Sequence, residues 1–149
     1  MRITDLLSFD RIVLDLRVKD KAQLLRELAS RASAGTGIPA SNIQVALLAR
    51  ETLGSTGLGN GFALPHARLE GIDQCFALLV RLTRPIDYAA IDGHPVDVLV
   101  LMLTPANADS EHMAALSLVA RTLRHGDTIG RVRRAAGIDS IMGMLLDGR

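Results

Sequence analysis

Six consecutive apolar residues, Val98-Leu99-Val100-Leu101-Met102-Leu103, lie between Asp97 and Thr104. A transmembrane helix needs roughly 20 such residues, so this run does not cross a bilayer. Its length and β-branched content fit a central strand covered on both faces. A second run of strand length extends from Cys75 to Leu82. Strands of this kind need helices to cover them, and the surrounding pattern supplies helices. Asp20 is placed to cap a helix carrying Leu24, Leu25, Leu28 and Ala32 on one side, ended by Gly35 and Gly37. Pro39 and Ser41 open a second helix, where Ser41-Asn42-Ile43-Gln44 fits a capping box, and Gly54 stops it. Ser110 to Arg124 has helical period, with His112, Ala115, Leu116, Val119 and Leu123 on one side. Shorter helices follow near 128–136 and 139–146. Alternation at Ile12, Leu14, Leu16 and Val18 predicts a half-buried strand, and Phe62-Ala63-Leu64 a short one. The class is α/β, a sheet flanked by helices.

Length and charge narrow the function classes. The 149 residues suit one domain spanning 1–149. Seventeen basic and 16 acidic residues give a net charge of +1, which argues against nucleic-acid binding driven by bulk charge. Aromatic residues make up 3% of the chain, too few for a base-stacking platform. The single cysteine, Cys75, excludes an intramolecular disulfide and a CxxC zinc site. The N-terminal Met1-Arg2-Ile3-Thr4-Asp5 lacks the apolar core of a signal peptide. An intracellular, cytoplasmic protein without membrane insertion is expected.

The stretch from Arg50 to Arg68 concentrates four glycines, Gly54, Gly57, Gly59 and Gly61, within eight positions. Such density marks unusual backbone angles or close approach of a ligand, although an ordinary turn-rich connection has a similar composition. It is not a nucleotide loop: Gly57-Leu58-Gly59-Asn60-Gly61 is GxGxG rather than GxGxxG, and no Gly-Lys-Ser/Thr follows. His66 follows Pro65 at the expected end of a strand, where α/β sheets place ligands. An isolated histidine is more often structural than catalytic, yet an imidazole is nucleophilic near neutral pH and can accept a phosphoryl group.

Glu51, Gly54-Ser55-Thr56-Gly57 and Leu64-Pro65-His66 occur here in an order that resembles the active-site signature of enzyme IIA of the bacterial phosphoenolpyruvate-dependent phosphotransferase system, mannitol/fructose type. Ala90-Ile91-Asp92-Gly93-His94-Pro95-Val96-Asp97 and Leu116-Ser117-Leu118-Val119-Ala120 extend the resemblance over roughly residues 5 to 146. It departs at Phe62, where a smaller aliphatic is usual, and at Ala67, where glycine is usual. The resemblance implies a single mixed β-sheet flanked by helices on both faces. It implies that His66 is phosphorylated, at Nε2, with Arg50 as active-site arginine and His112 as second active-site histidine.

On that basis Arg50 clamps phosphoryl oxygens, since a guanidinium offers two donors at once. The Thr56 hydroxyl and the N–H groups of the loop, Ser55 included, hold the remaining oxygens. His112 donates to the phosphoryl group or restrains the His66 ring. An apolar patch around His66, including Phe62 and Leu58, docks the carrier. His94 and His125 are read as surface residues, and no metal or cofactor is required. The expected partner is a histidine phosphocarrier protein of the nitrogen branch, with regulated transporters or kinases downstream. The resemblance is strongest to the nitrogen-regulatory branch. The alternatives are a stand-alone fructose/mannitol-type enzyme IIA that passes phosphate to an enzyme IIB cysteine, and an interaction module that is never phosphorylated.

Overall fold

In a computed structural model, which describes residues 2–147, the two apolar runs form adjacent antiparallel strands at the centre of a mixed sheet. The elements in chain order are α1 (Ile3–Leu6), a 3-10 turn (Phe9–Arg11), β1 (Ile12–Leu16), α2 (Lys21–Thr36) and α3 (Ala40–Thr52). Then come β2 (Gly57–Gly59), β3 (Phe62–Ala63), β4 (His66–Leu69), β5 (Phe76–Ile86) and β6 (Val96–Pro105). Three helices close the chain: α4 (Ser110–Arg124), α5 (Thr128–Arg134) and α6 (Ile138–Leu146). The sheet order is β1-β5-β6-β3-β2, with β4 also paired to β6. β1 is parallel to β5, and β3 and β4 are parallel to β6.

Strand side chains alternate between faces, so the continuous apolar runs split into two cores. Leu99, Leu101 and Leu103 of β6, with Leu78 and Val80 of β5, pack under α2 and α3 against Leu25, Leu28, Ile43 and Leu47. Val98, Val100 and Met102, with Ala77 and Leu79, pack on the other face against Ala115, Val119 and Leu123 of α4 and Ile141 of α6. That is the α/β sheet covered on both faces that the sequence implies.

Four local readings need correction. The alternation from Ile12 to Val18 does not keep to one face, because Asp15 takes a left-handed φ of 58° where the register with β5 shifts. Ile12 and Leu14 therefore join one core and Leu16 and Val18 the other. The capping box at Ser41 does not form: α3 starts two residues earlier, with Pro39 as N-cap and no side-chain cap. Gly37 ends α2 in the left-handed conformation, but Gly35 lies inside the helix, where a Cβ would collide with the Phe76 ring. The glycine-rich stretch is not wholly loop, since β2 lies within it and pairs with β3. Asp20 does cap α2, accepting the Gln23 N–H at 2.8 Å.

Candidate functional site

Pro65 lacks an N–H and interrupts the strand that His66 would otherwise continue. The result is two short strands, β3 and β4, in one unbroken register on β6: Phe62 faces Val98, Ala63 faces Leu99 and His66 faces Met102. The Pro65 carbonyl still accepts the Met102 N–H at 2.9 Å. His66 thus opens β4 from a backbone fixed on both sides of the break.

The His66 ring is held at both nitrogens. Nδ1 lies 2.8 Å from the Leu64 carbonyl, and Nε2 lies 3.3 Å from Arg50 Nε. A carbonyl can only accept and a guanidinium can only donate. The arrangement therefore assigns the proton to Nδ1 and the lone pair to Nε2. Arg50 comes from the last turn of α3, and its Nη1 donates to the Gly54 carbonyl at 2.9 Å, just past the helix end. Three of its five N–H donors remain for a ligand.

The two residues share a groove of about 460 Å³, walled by Ala49 of α3, by Leu53 just past its end, and by Met113 and Leu116 of α4. Leu53 is 83% exposed and Met113 43%. A larger groove of about 600 Å³ at Arg17, Lys19, Thr83 and Arg84 has no histidine among its lining residues. Chemistry therefore favours the smaller one.

Beside Arg50, the Glu51 side chain turns inward. Its Oε1 pairs with Lys21 Nζ at 2.8 Å and accepts the Thr56 N–H at 3.1 Å. Its Oε2 accepts from the Thr56 hydroxyl, and from the Tyr88 hydroxyl at 3.3 Å. Lys21 also stacks over the Tyr88 ring at 4.3 Å and donates to the Tyr88 carbonyl at 3.2 Å. Burial works to raise the pKa of Glu51, but hydrogen bonds from Lys21 and Thr56 outweigh it and hold the carboxyl below its ordinary value. Burial, and then the negative charge of Glu51, push the Tyr88 phenol well above its usual range, so it stays a donor.

This cluster already engages the Thr56 hydroxyl, which the sequence reading assigned to phosphoryl oxygens. Thr56 is buried, and its hydroxyl is committed to Glu51 and lies 2.9 Å from that of Tyr88. The Ser55 hydroxyl donates to the Tyr88 carbonyl at 3.2 Å and accepts the Gly57 N–H at 3.0 Å. Both hydroxyls are engaged by partners within the fold. Phe62 is fully buried in the α4 core, and Leu58 is half-buried against the same core. The exposed apolar rim of the His66 groove is Leu53 and Met113 instead. His112 sits in the first turn of α4, with Nδ1 3.0 Å from Asp109 Oδ1. Its ring makes no hydrogen bond to His66, which is restrained by Leu64 and Arg50. His94 and His125 are exposed. Lys21 and Tyr88 carried no motif signal. Two hints were present: Lys21 places a cation in the first turn of a helix, against the helix dipole, and Tyr88 is the only tyrosine of the chain.

The model of the phosphoenolpyruvate-dependent sugar phosphotransferase system EIIA 2 family matches residues 5–148. The chain belongs to this family. Enzyme IIA proteins of this family are phosphotransferase components, and the chain is similar to several named relatives. It is 40% identical to a nitrogen regulatory protein of Bradyrhizobium diazoefficiens over 97% of this chain and 95% of that one. With a nitrogen regulatory protein of Escherichia coli it shares 35% identity over 87% of this chain and 80% of the other. The crystal structure of nitrogen regulatory protein IIA-Ntr from Neisseria meningitidis superimposes with a TM-score of 0.89 at 31% identity, covering 96% and 98% of the two chains. The mannitol IIA of E. coli matches with a TM-score of 0.76 at 19% identity, a likeness of fold, over 91% of this chain and 96% of that one. Among the described residues no helix is long and apolar enough to cross a membrane.

Proposed function

We propose that this enzyme IIA accepts a phosphoryl group on His66 Nε2 from the phosphohistidine of a nitrogen-branch phosphocarrier protein, and that it acts as a regulator in the cytoplasm. The observation that carries the reading is the His66 ring itself, with Nδ1 on the Leu64 carbonyl and Nε2 against Arg50. The Nε2 lone pair attacks phosphorus in line, the donor's N–P bond breaks, and the donor imidazole keeps that electron pair. No proton has to move. His66 gains positive charge on its ring, and the Leu64 carbonyl accepts from the Nδ1–H that shares it. As phosphorus arrives, the Arg50 Nε–H exchanges Nε2 for a phosphoryl oxygen, and its unused donors meet the others. Transfer of this kind depends on positioning and charge stabilisation. His112, at the N-terminal end of α4, supplies a further donor once its ring leaves Asp109.

The regulatory role is supported by similarity to proteins named nitrogen regulatory protein along almost the whole chain. Regulated transporters or kinases are the downstream partners that fit such a role. The carrier docks on the rim formed by Leu53 and Met113.

Incubation with phosphoenolpyruvate, enzyme I and phosphocarrier, followed by intact-mass measurement, tests the reading. An acid-labile phosphoryl adduct is expected on the native protein and none on a folded His66→Ala variant. Labelling of His66→Ala would sink the assignment, and no adduct on the native chain would make it an interaction module. Efficient onward transfer to the cysteine of a sugar-specific IIB domain would instead assign a transport role.

A further inference from the structure

The Glu51 carboxylate is buried, charged and in contact with none of the groups that meet the phosphoryl donor. Its hydrogen bonds nevertheless lead to both. Glu51 fixes Thr56 through the backbone N–H and the hydroxyl. The Thr56 carbonyl accepts the Leu64 N–H at 2.9 Å, and the Leu64 carbonyl in turn accepts from His66 Nδ1 at 2.8 Å. The same grip closes the turn between Glu51 and Thr56, which contains Gly54, and the Gly54 carbonyl holds Arg50 Nη1 at 2.9 Å. Lys21 and Tyr88 keep the carboxylate in place from α2 and from the segment that joins β5 to β6.

We propose that Glu51, held by Lys21 and Tyr88, is the positioning residue for transfer, setting through Thr56 both the Nδ1–H tautomer of His66 and the orientation of Arg50. This rests on the reading that His66 Nε2 is the acceptor. A carboxylate can accept from Lys21, from both Thr56 donors and from Tyr88 at once. An amide in the same place turns one of its two ends into a donor and sets it against the two partners which that oxygen accepted from. Loss of the anchor loosens the turn without removing any group that meets the donor, and small misplacements of reacting atoms are costly in rate.

The test uses Glu51→Gln and Tyr88→Phe in the full chain. Phosphoryl transfer from the carrier is measured as kcat and KM, and the His66 tautomer is read by nitrogen-15 NMR on the unphosphorylated protein. Glu51→Gln is expected to lower kcat by about 10- to 100-fold with KM unchanged, and to populate the Nε2–H tautomer. Tyr88→Phe removes one hydroxyl and leaves the Lys21 pair, so a smaller fall is expected. A folded Glu51→Gln protein with native kcat and a pure Nδ1–H tautomer overturns the proposal. So does a rise in KM at native kcat, which would mean a docking role. If Glu51→Gln does not fold, Tyr88→Phe decides alone, and native kcat and tautomer there overturn the proposal. Failure of the underlying reading would look different: the native protein would carry no phosphoryl group on His66, while the tautomer shift would still be measurable.

Discussion

Lys21→Met removes the cation paired with Glu51 and keeps an apolar stem of similar length. Breaking a fully buried ion pair by deleting one partner costs about 3–5 kcal/mol, because the other charge is left uncompensated. Here the Glu51 side chain is 7% exposed but that of Lys21 is 23% exposed. Glu51 also keeps its bonds to Thr56 and Tyr88. The expected loss is therefore smaller, about 2 kcal/mol at neutral pH. For a chain of this size that lowers Tm by about 4–8 °C. The pH dependence separates charge from packing. The pKa of Glu51 is lowered in the folded protein, so its stabilisation is fully present above the unfolded value of about 4.3 and is lost as pH falls through the lower folded value. Without Lys21, burial raises that pKa, and the variant protonates Glu51 at a higher pH. The deficit is then largest near neutrality and shrinks in acid, to the roughly 0.5–1 kcal/mol of the cation over the Tyr88 ring. Urea denaturation of both proteins, from neutral pH down through the carboxylate range, measures the difference. A deficit that stays constant across that range would refute the reasoning and leave Lys21 as a packing residue only.

Arg50→Ala is expected to slow transfer to His66 by roughly 10- to 150-fold, the loss of a charged hydrogen bond of about 1.5–3 kcal/mol, without moving the site of labelling. Rapid-quench transfer assays check this. Phe62→Leu is expected to cost roughly 1 kcal/mol of stability with the carrier KM unchanged, because the ring lies in the core. Leu53→Asp is expected to do the reverse, leaving the melting curve in place and raising the carrier KM, because that side chain is 83% exposed at the groove rim. Gly57→Ala would bring a Cβ within 2.7 Å of the Ala90 Cβ and 2.8 Å of its Cα. A loss of about 1–3 kcal/mol in a denaturation series is expected from that overlap.

The residues proposed to meet the donor were legible from their order in the chain, because Arg50 and His66 are chemically distinctive and their motif is linear. The same order placed the Thr56 hydroxyl and the loop N–H groups at the phosphoryl group, and in the structure that hydroxyl is bonded to Glu51. Thr56 looks like a loop donor until Glu51 is seen to need it. The carboxylate is buried, and each of its oxygens takes a partner to offset lost hydration. Lys21 and Tyr88 come from distant segments, and no local pattern links them to Arg50. Phe62 shows the opposite error, since proximity to His66 in the chain suggested surface while strand alternation turns it into the core.

By itself, the sequence determined the layers. Two strands with near-continuous apolar runs need helices over both faces, and the helical periods supply that cover. It also singled out the groups proposed to react and, through Pro65, determined the break in the strand that presents them. Only the tertiary structure decided which hydroxyls were already used, which apolar side chains remained outside, and that a lysine placed against its own helix dipole answers a buried glutamate. Local pattern records what a residue is able to do. Burial and partners far away in the chain decide which of those abilities is still unspent when the donor arrives.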